Sequence, residues 1–138
     1  MSLSQPQQTA LSTTLLHLEQ SLDEIERLLN GSAAGIMYTT ELNVGPATVE
    51  QIQARCSDIR AQMSALARAF GLPRQQRFIR QIIMGELSSA WVNLEEVRPR
   101  KLKRYGGVDP ALMDTLEPSL ARLIQLVQDI QDLTSRGA

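Results

Sequence analysis

Five cations crowd around one proline in this chain: Arg98, Arg100, Lys101, Lys103 and Arg104 surround Pro99, and Tyr105 closes the run. Guanidinium and ammonium groups at this density can clamp a phosphate-bearing ligand, a nucleic-acid backbone or an acidic protein surface, with Tyr105 available to stack. The same cations also complement the negative end of a preceding helix and acids such as Glu95 and Glu96. No aromatic platform and no basic domain accompany them, which weighs against nucleic acid. The expectation is a protein partner, acidic in character, with these six residues as its binding site.

The remaining chemistry is sparse. His17 is the only histidine and Cys56 the only cysteine, so an internal disulfide and a CxxC-type metal pair are both excluded. A dinuclear carboxylate site of the ferritin type needs Glu-x-x-His pairs, and three residues before His17 lies Thr14. Nucleophilic catalysis would have to recruit His17, which falls between Leu16 and Leu18 and off the apolar seam. Cys56 sits on a seam, where it reads as a small buried hydrophobe and not as a reactive thiolate. No nucleophile elbow, phosphate-cradling glycine loop or zinc-ligand spacing occurs. The expectation is therefore no catalytic residue, no metal and no cofactor.

Composition sets the frame for these residues. The chain has 138 residues, 43% hydrophobic but only 4% aromatic, a balance that suits leucine-packed helices and disfavours sheet. Net charge is −1, so attraction for polyanions must come from a local patch. Charge is segregated along the chain: residues 72–104 carry eight Lys/Arg against three acids, residues 1–71 four against seven, and residues 105–138 two against five. The polar start lacks the basic and apolar stretches of a secretory signal, and no apolar run is long enough to span a bilayer. With a single cysteine, these features predict a cytoplasmic protein without a membrane segment.

The positioning elements follow from periodicity. Residues 1–8 read as a flexible polar tail and residues 9–138 as one helical domain. Leu11, Leu15, Leu18, Leu22, Ile25 and Leu29 alternate steps of four and three, which predicts a helix from Thr9 or Ser12 to Asn30-Gly31. Residues 31–45 read as a long connection with a helical turn at Tyr38–Leu42, strapped over the core by Ile36, Met37 and Tyr38. A second helix opens at Pro46 or Thr48 with a seam from Val49 through Cys56 to Phe70. Gly71-Leu72-Pro73 then predicts a tight turn into a third, antiparallel helix. That helix carries Ile79, Ile83, Leu87, Ala90, Leu94 and Val97 on one face, with Phe78, Ile82 and Trp91 beside it. It should be the most buried element, Gly85 marking a close backbone approach and Trp91 a core anchor. Asp109-Pro110 opens the fourth helix, with a kink or restart at Pro118.

Four such seams predict an all-α, up-down four-helix bundle, completed or extended by homodimerisation, with Leu18, Ile25, Ile59, Leu66, Ile83, Leu94, Leu123 and Val127 in one core. The expected role is a protein-interaction, adaptor or scaffolding module. A solvated histidine on a helix of a four-helix bundle resembles the layout of histidine phosphotransfer domains, which implies His17 as an alternative phosphoacceptor. Those domains place a Lys and a small residue three and four positions later, where this chain has Gln20 and Ser21, so only the small residue matches. Phosphate or nucleic-acid binding at the basic run is the other alternative.

Overall fold

A computed structural model describes residues 2–137 and is predominantly helical. The order is α1 (Gln5–Leu29), β1 (Ala33–Ala34), β2 (Thr39–Thr40), α2 (Pro46–Ala69), α3 (Ile79–Glu95), α4 (Pro99–Leu102), a 3-10 turn (Lys103–Tyr105) and α5 (Pro110–Arg136). The chain divides after Gln75 into two compact units. α1 pairs with α2 in the first, while α5 packs on α3 and α4 in the second.

Helix boundaries follow local chemistry. α1 begins in the polar start, at Gln5 instead of Thr9 or Ser12, because Ser4 forms a capping box: its hydroxyl accepts from Gln7 N at 3.3 Å, and Gln7 Oε1 accepts from Ser4 N at 2.8 Å. It ends at Asn30-Gly31 as the sequence implies, with Gly31 at φ +129°. Pro46 opens α2, and the Asp109 carboxylate caps α5 by accepting from Ala111 N at 2.9 Å. α5 runs through Pro118 without restarting, so the expected break is absent. Its extensive packing on α3 offsets one missing backbone hydrogen bond.

The connections differ more from expectation. Residues 31–45 hold no helical turn but a small antiparallel hairpin, with Ala33 opposite Thr40 and Ala34 opposite Thr39. The Thr40 hydroxyl accepts from Ala33 N at 2.9 Å, and Ser32 Oγ accepts from Leu42 N at 3.3 Å. The Tyr38 ring folds over Gly35, where a Cβ would stand 2.6 Å from it, so a larger residue there would displace this exposed side chain. Ile36, Met37 and Tyr38 do not strap the core: they form the exposed loop, Ile36 at 100% exposure. The link between α2 and α3 is not the tight turn expected at Gly71-Leu72-Pro73 either. Nine non-helical residues, 70–78, intervene, with a polar run of Arg74, Gln75, Gln76 and Arg77.

Each unit has a narrow core. α1 and α2 run antiparallel, since one groove joins Ile25 to Ile52 and Cys56, while another joins Ser12 and Leu15 to Met63 and Ala67. Leu22 is 2% exposed and Cys56, also buried, is its counterpart on α2. In the second unit Leu120 and Ile124 of α5 and Pro99 of α4 are buried. The residues expected in the core are not the buried ones: Leu18, Ile25, Ile59 and Leu123 are exposed over a third or more of their surface, and Leu66, Ile83, Leu94 and Val127 are half-buried. α3 has no fully buried residue, Trp91 is 36% exposed, and nothing lies within 4 Å of a Cβ placed on Gly85. A single neighbouring helix covers one flank of a wide apolar stripe and leaves the other open.

Leu22→Ala should therefore cost about 2–5 kcal/mol by denaturant unfolding, the range for truncation in a closed site. Leu123→Ala, at 47% exposure, should cost about 1 kcal/mol or less when the chain is dilute enough to be monomeric. Equal losses would show that the two faces of the helices are buried alike.

Candidate functional site

The basic run is built by the end of α3. Glu96 caps that helix, the chain turns at Arg98, and buried Pro99 starts α4 against α5. Arg98 is mostly covered: its Nε lies 3.4 Å from Glu95 Oε2 and its Nη1 lies 3.6 Å from Glu117 Oε1 on α5. It thereby joins the end of α3 to the early turns of α5. Lys101 Nζ donates to Glu96 Oε1 at 3.0 Å and Arg104 Nη2 to Glu96 Oε2 at 2.8 Å, while Arg104 also lies over the Tyr105 ring, 5.2 Å from its centroid.

These contacts sort the six residues. Arg98, Lys101 and Arg104 neutralise Glu95, Glu96 and Glu117, the arrangement expected of cations at a helix C-terminus. Arg100 and Lys103 make no ion pair among the described residues, both being surface or near-surface positions on the same turn of chain. Tyr105 is exposed beside them. The hydrogen bonds from Lys101 and then Arg104 hold the Glu96 carboxyl below the usual range, and Glu96 in turn raises Arg104.

A second charged cluster escaped the sequence reading. Arg60 on α2 meets three acids of α1: Nη2 donates to Asp23 Oδ1 at 2.8 Å, Nε donates to Glu26 Oε1 at 3.1 Å, and Nη1 lies 3.6 Å from Glu19 Oε2. Asp23 first, then Glu26, push the guanidinium further above its ordinary value. The signal was present in the spacing: Glu19, Asp23 and Glu26 are four and three apart, one stripe beside the Leu15–Leu22–Leu29 line, and Arg60 follows Ile59 on the matching flank of α2. On the other flank lies an open apolar groove of about 720 Å³, lined by Leu22, Ile25, Ile52, Cys56 and Ile59 with Arg55 at its rim.

His17 is exposed on α1, and Cys56 is buried in the α1–α2 core, both as their spacing implies. No group of three or more His, Cys, Asp or Glu side chains among the described residues could hold a metal ion. No described helix is long and apolar enough to cross a membrane. No family model matches this chain, and the comparisons with curated proteins and with solved structures found no match.

Two outcomes test the electrostatics. Because its folded pKa is depressed, Glu96 should add stability that is complete above the unfolded glutamate value of about 4.3 and lost as pH falls through the lower folded value. A carboxyl titration by NMR should place the Glu96 midpoint below about 4.3, and Glu96→Gln should remove that part of the acid dependence. Arg60→Met should lower the helical melting temperature by leaving three α1 acids unneutralised. That loss should shrink between about 0.02 M and about 1 M salt; a salt-independent loss would assign Arg60 a packing role instead.

Proposed function

We propose that this chain is a cytoplasmic protein-interaction module, an adaptor or scaffold built from helical pairs whose free apolar flanks are completed by other helices. The observation that carries this reading is the exposure of regularly spaced apolar residues on both units: Leu18, Ile25 and Leu28 on α1, and Leu123, Leu126, Ile130 and Leu133 on α5. Seams of this kind are stable in water when further helices cover them, as in a four-helix bundle or a dimer of hairpins. The proposed architecture is accordingly an up-down bundle forming one domain, completed or extended by homodimerisation.

The basic turn supplies the polar part of recognition. Arg100 and Lys103, unpaired beside exposed Tyr105, suit the rim of an interface with an acidic protein surface. Arg98, Lys101 and Arg104 hold the turn in shape through Glu95, Glu96 and Glu117.

Affinity capture from the native cell, with the intact chain and with Arg100→Glu/Lys103→Glu, tests this role. The double reversal should reduce recovery of the partner severalfold, with the helical melt nearly unchanged, since exposed unpaired charges matter little for folding. Added salt should weaken capture by the unsubstituted chain. Unchanged recovery and unchanged salt response would remove the basic turn from the interface.

A further inference from the structure

α5 presents two apolar lines, and α3 and α4 cover one of them. Leu120 and Ile124 are buried on the covered side. On the adjacent side Leu123, Leu126, Ile130 and Leu133 follow one another at three, four and three residues and are all exposed, Leu133 at 61%. That is the heptad spacing of a helix seam with no helix against it. Leu116, half-buried, and Ser119 continue the line toward the start of α5.

The edge of this seam away from the buried line carries Arg122, Asp129 and Arg136, one every seven residues. Arg122 has no ion pair among the described residues, and Asp129 accepts only a hydrogen bond from Gln125 Nε2, at 2.9 Å. Charges in this pattern discriminate between ways of laying a second α5 on the first. A parallel pairing sets Arg122 against the Val127 flank, without a partner. An antiparallel pairing centred on Gln128 sets Arg122 against Arg136 and Asp129 against Asp129. An antiparallel pairing centred between Ile124 and Gln125 sets Arg122 of each copy against Asp129 of the other. In that last register Leu123 meets Leu126 of the second copy, Ser119 meets its Ile130, and Leu116 meets its Leu133.

Resting on the self-association reading above, we propose that the occupant of the exposed α5 seam is a second copy of this chain. The copies pair as an antiparallel two-fold dimer about the point between Ile124 and Gln125, with reciprocal Arg122–Asp129 ion pairs. A two-fold interface must be self-complementary, and this register satisfies both the apolar line and its charged edge with residues already present. The small Ser119 opposite Ile130 lets the helices approach near the ends of the contact.

Sedimentation equilibrium on the full-length chain tests the pairing, with circular dichroism melts confirming that each variant folds. The unsubstituted protein should dimerise below about 100 μM. Arg122→Asp and Asp129→Arg each place like charges at both ends of the dimer and should weaken dimerisation about tenfold or more. An equimolar mixture of the two should recover a heterodimer of near-original affinity, because positions 122 and 129 then carry opposite charges at both ends of the contact. The double variant should recover the homodimer for the same reason. Failure of the unsubstituted chain to dimerise at about 100 μM would overturn both this inference and the self-association reading. Dimerisation unchanged in both single variants, or not recovered in the mixture, would overturn the α5 register alone and leave self-association standing. Leu126→Glu/Ile130→Glu should abolish the dimer with little change in the monomer melt; a large drop in that melt would place the seam against the chain's own helices and overturn the proposal.

Discussion

A helix whose apolar stripe is wider than one helix contact can cover is only half satisfied by a single neighbour, and that constraint runs through both units. The stripe of α1 spans the Leu18–Ile25 line and the Leu15–Leu22 line, yet α2 closes only over Leu22. On α5 the contact with α3 and α4 buries Leu120 and Ile124 and leaves Leu123, Leu126, Ile130 and Leu133 in water. Buried residues and candidate contact residues therefore alternate on the same helices. Burial and exposure thus fall on adjacent positions of one repeat.

Charge divides the same way. Arg60 meets the α1 acids on one flank of the first pair, while the opposite flank carries the groove of Ile25, Ile52 and Ile59 with fewer charges. Exposed ion pairs contribute little free energy each, but one guanidinium spanning Glu19, Asp23 and Glu26 favours a single sliding register of α2 along α1. Arg98 acts similarly at the second unit, where Glu95 and Glu117 belong to different helices. With those cations engaged, Arg100, Lys103, Arg122 and Asp129 are among the charged side chains that make no ion pair within the described residues.

The connections show how side chains redirect a backbone with little intrinsic preference. The 31–45 segment forms a hairpin in which Thr40 and Ser32 satisfy the backbone N–H groups of Ala33 and Leu42. Ile36, Met37 and Tyr38 then fall on the loop and are carried away from any core. Their apolar character alone implied the opposite placement. Between α2 and α3, Gly71 and Pro73 do end a helix, but the next begins only after the polar Arg74–Arg77 run.

Features that depend on a few neighbouring residues were legible before any fold was known. The all-α class, the stops at Asn30-Gly31, the starts at Pro46 and Asp109-Pro110, the exposure of His17 and the burial of Cys56 all follow from caps, turn residues and a period near 3.6. The basic run was equally legible, since it is a property of composition. Tertiary structure alone decided which flank of each stripe is covered, hence Leu22 and not Leu18, and Ile124 and not Leu123. It also decided which cations are consumed, because Glu117 is distant in sequence from Arg98 and Glu19 from Arg60. Periodicity defines a face relative to its own helix axis; it carries no information about which helix arrives at that face, or at what rotation.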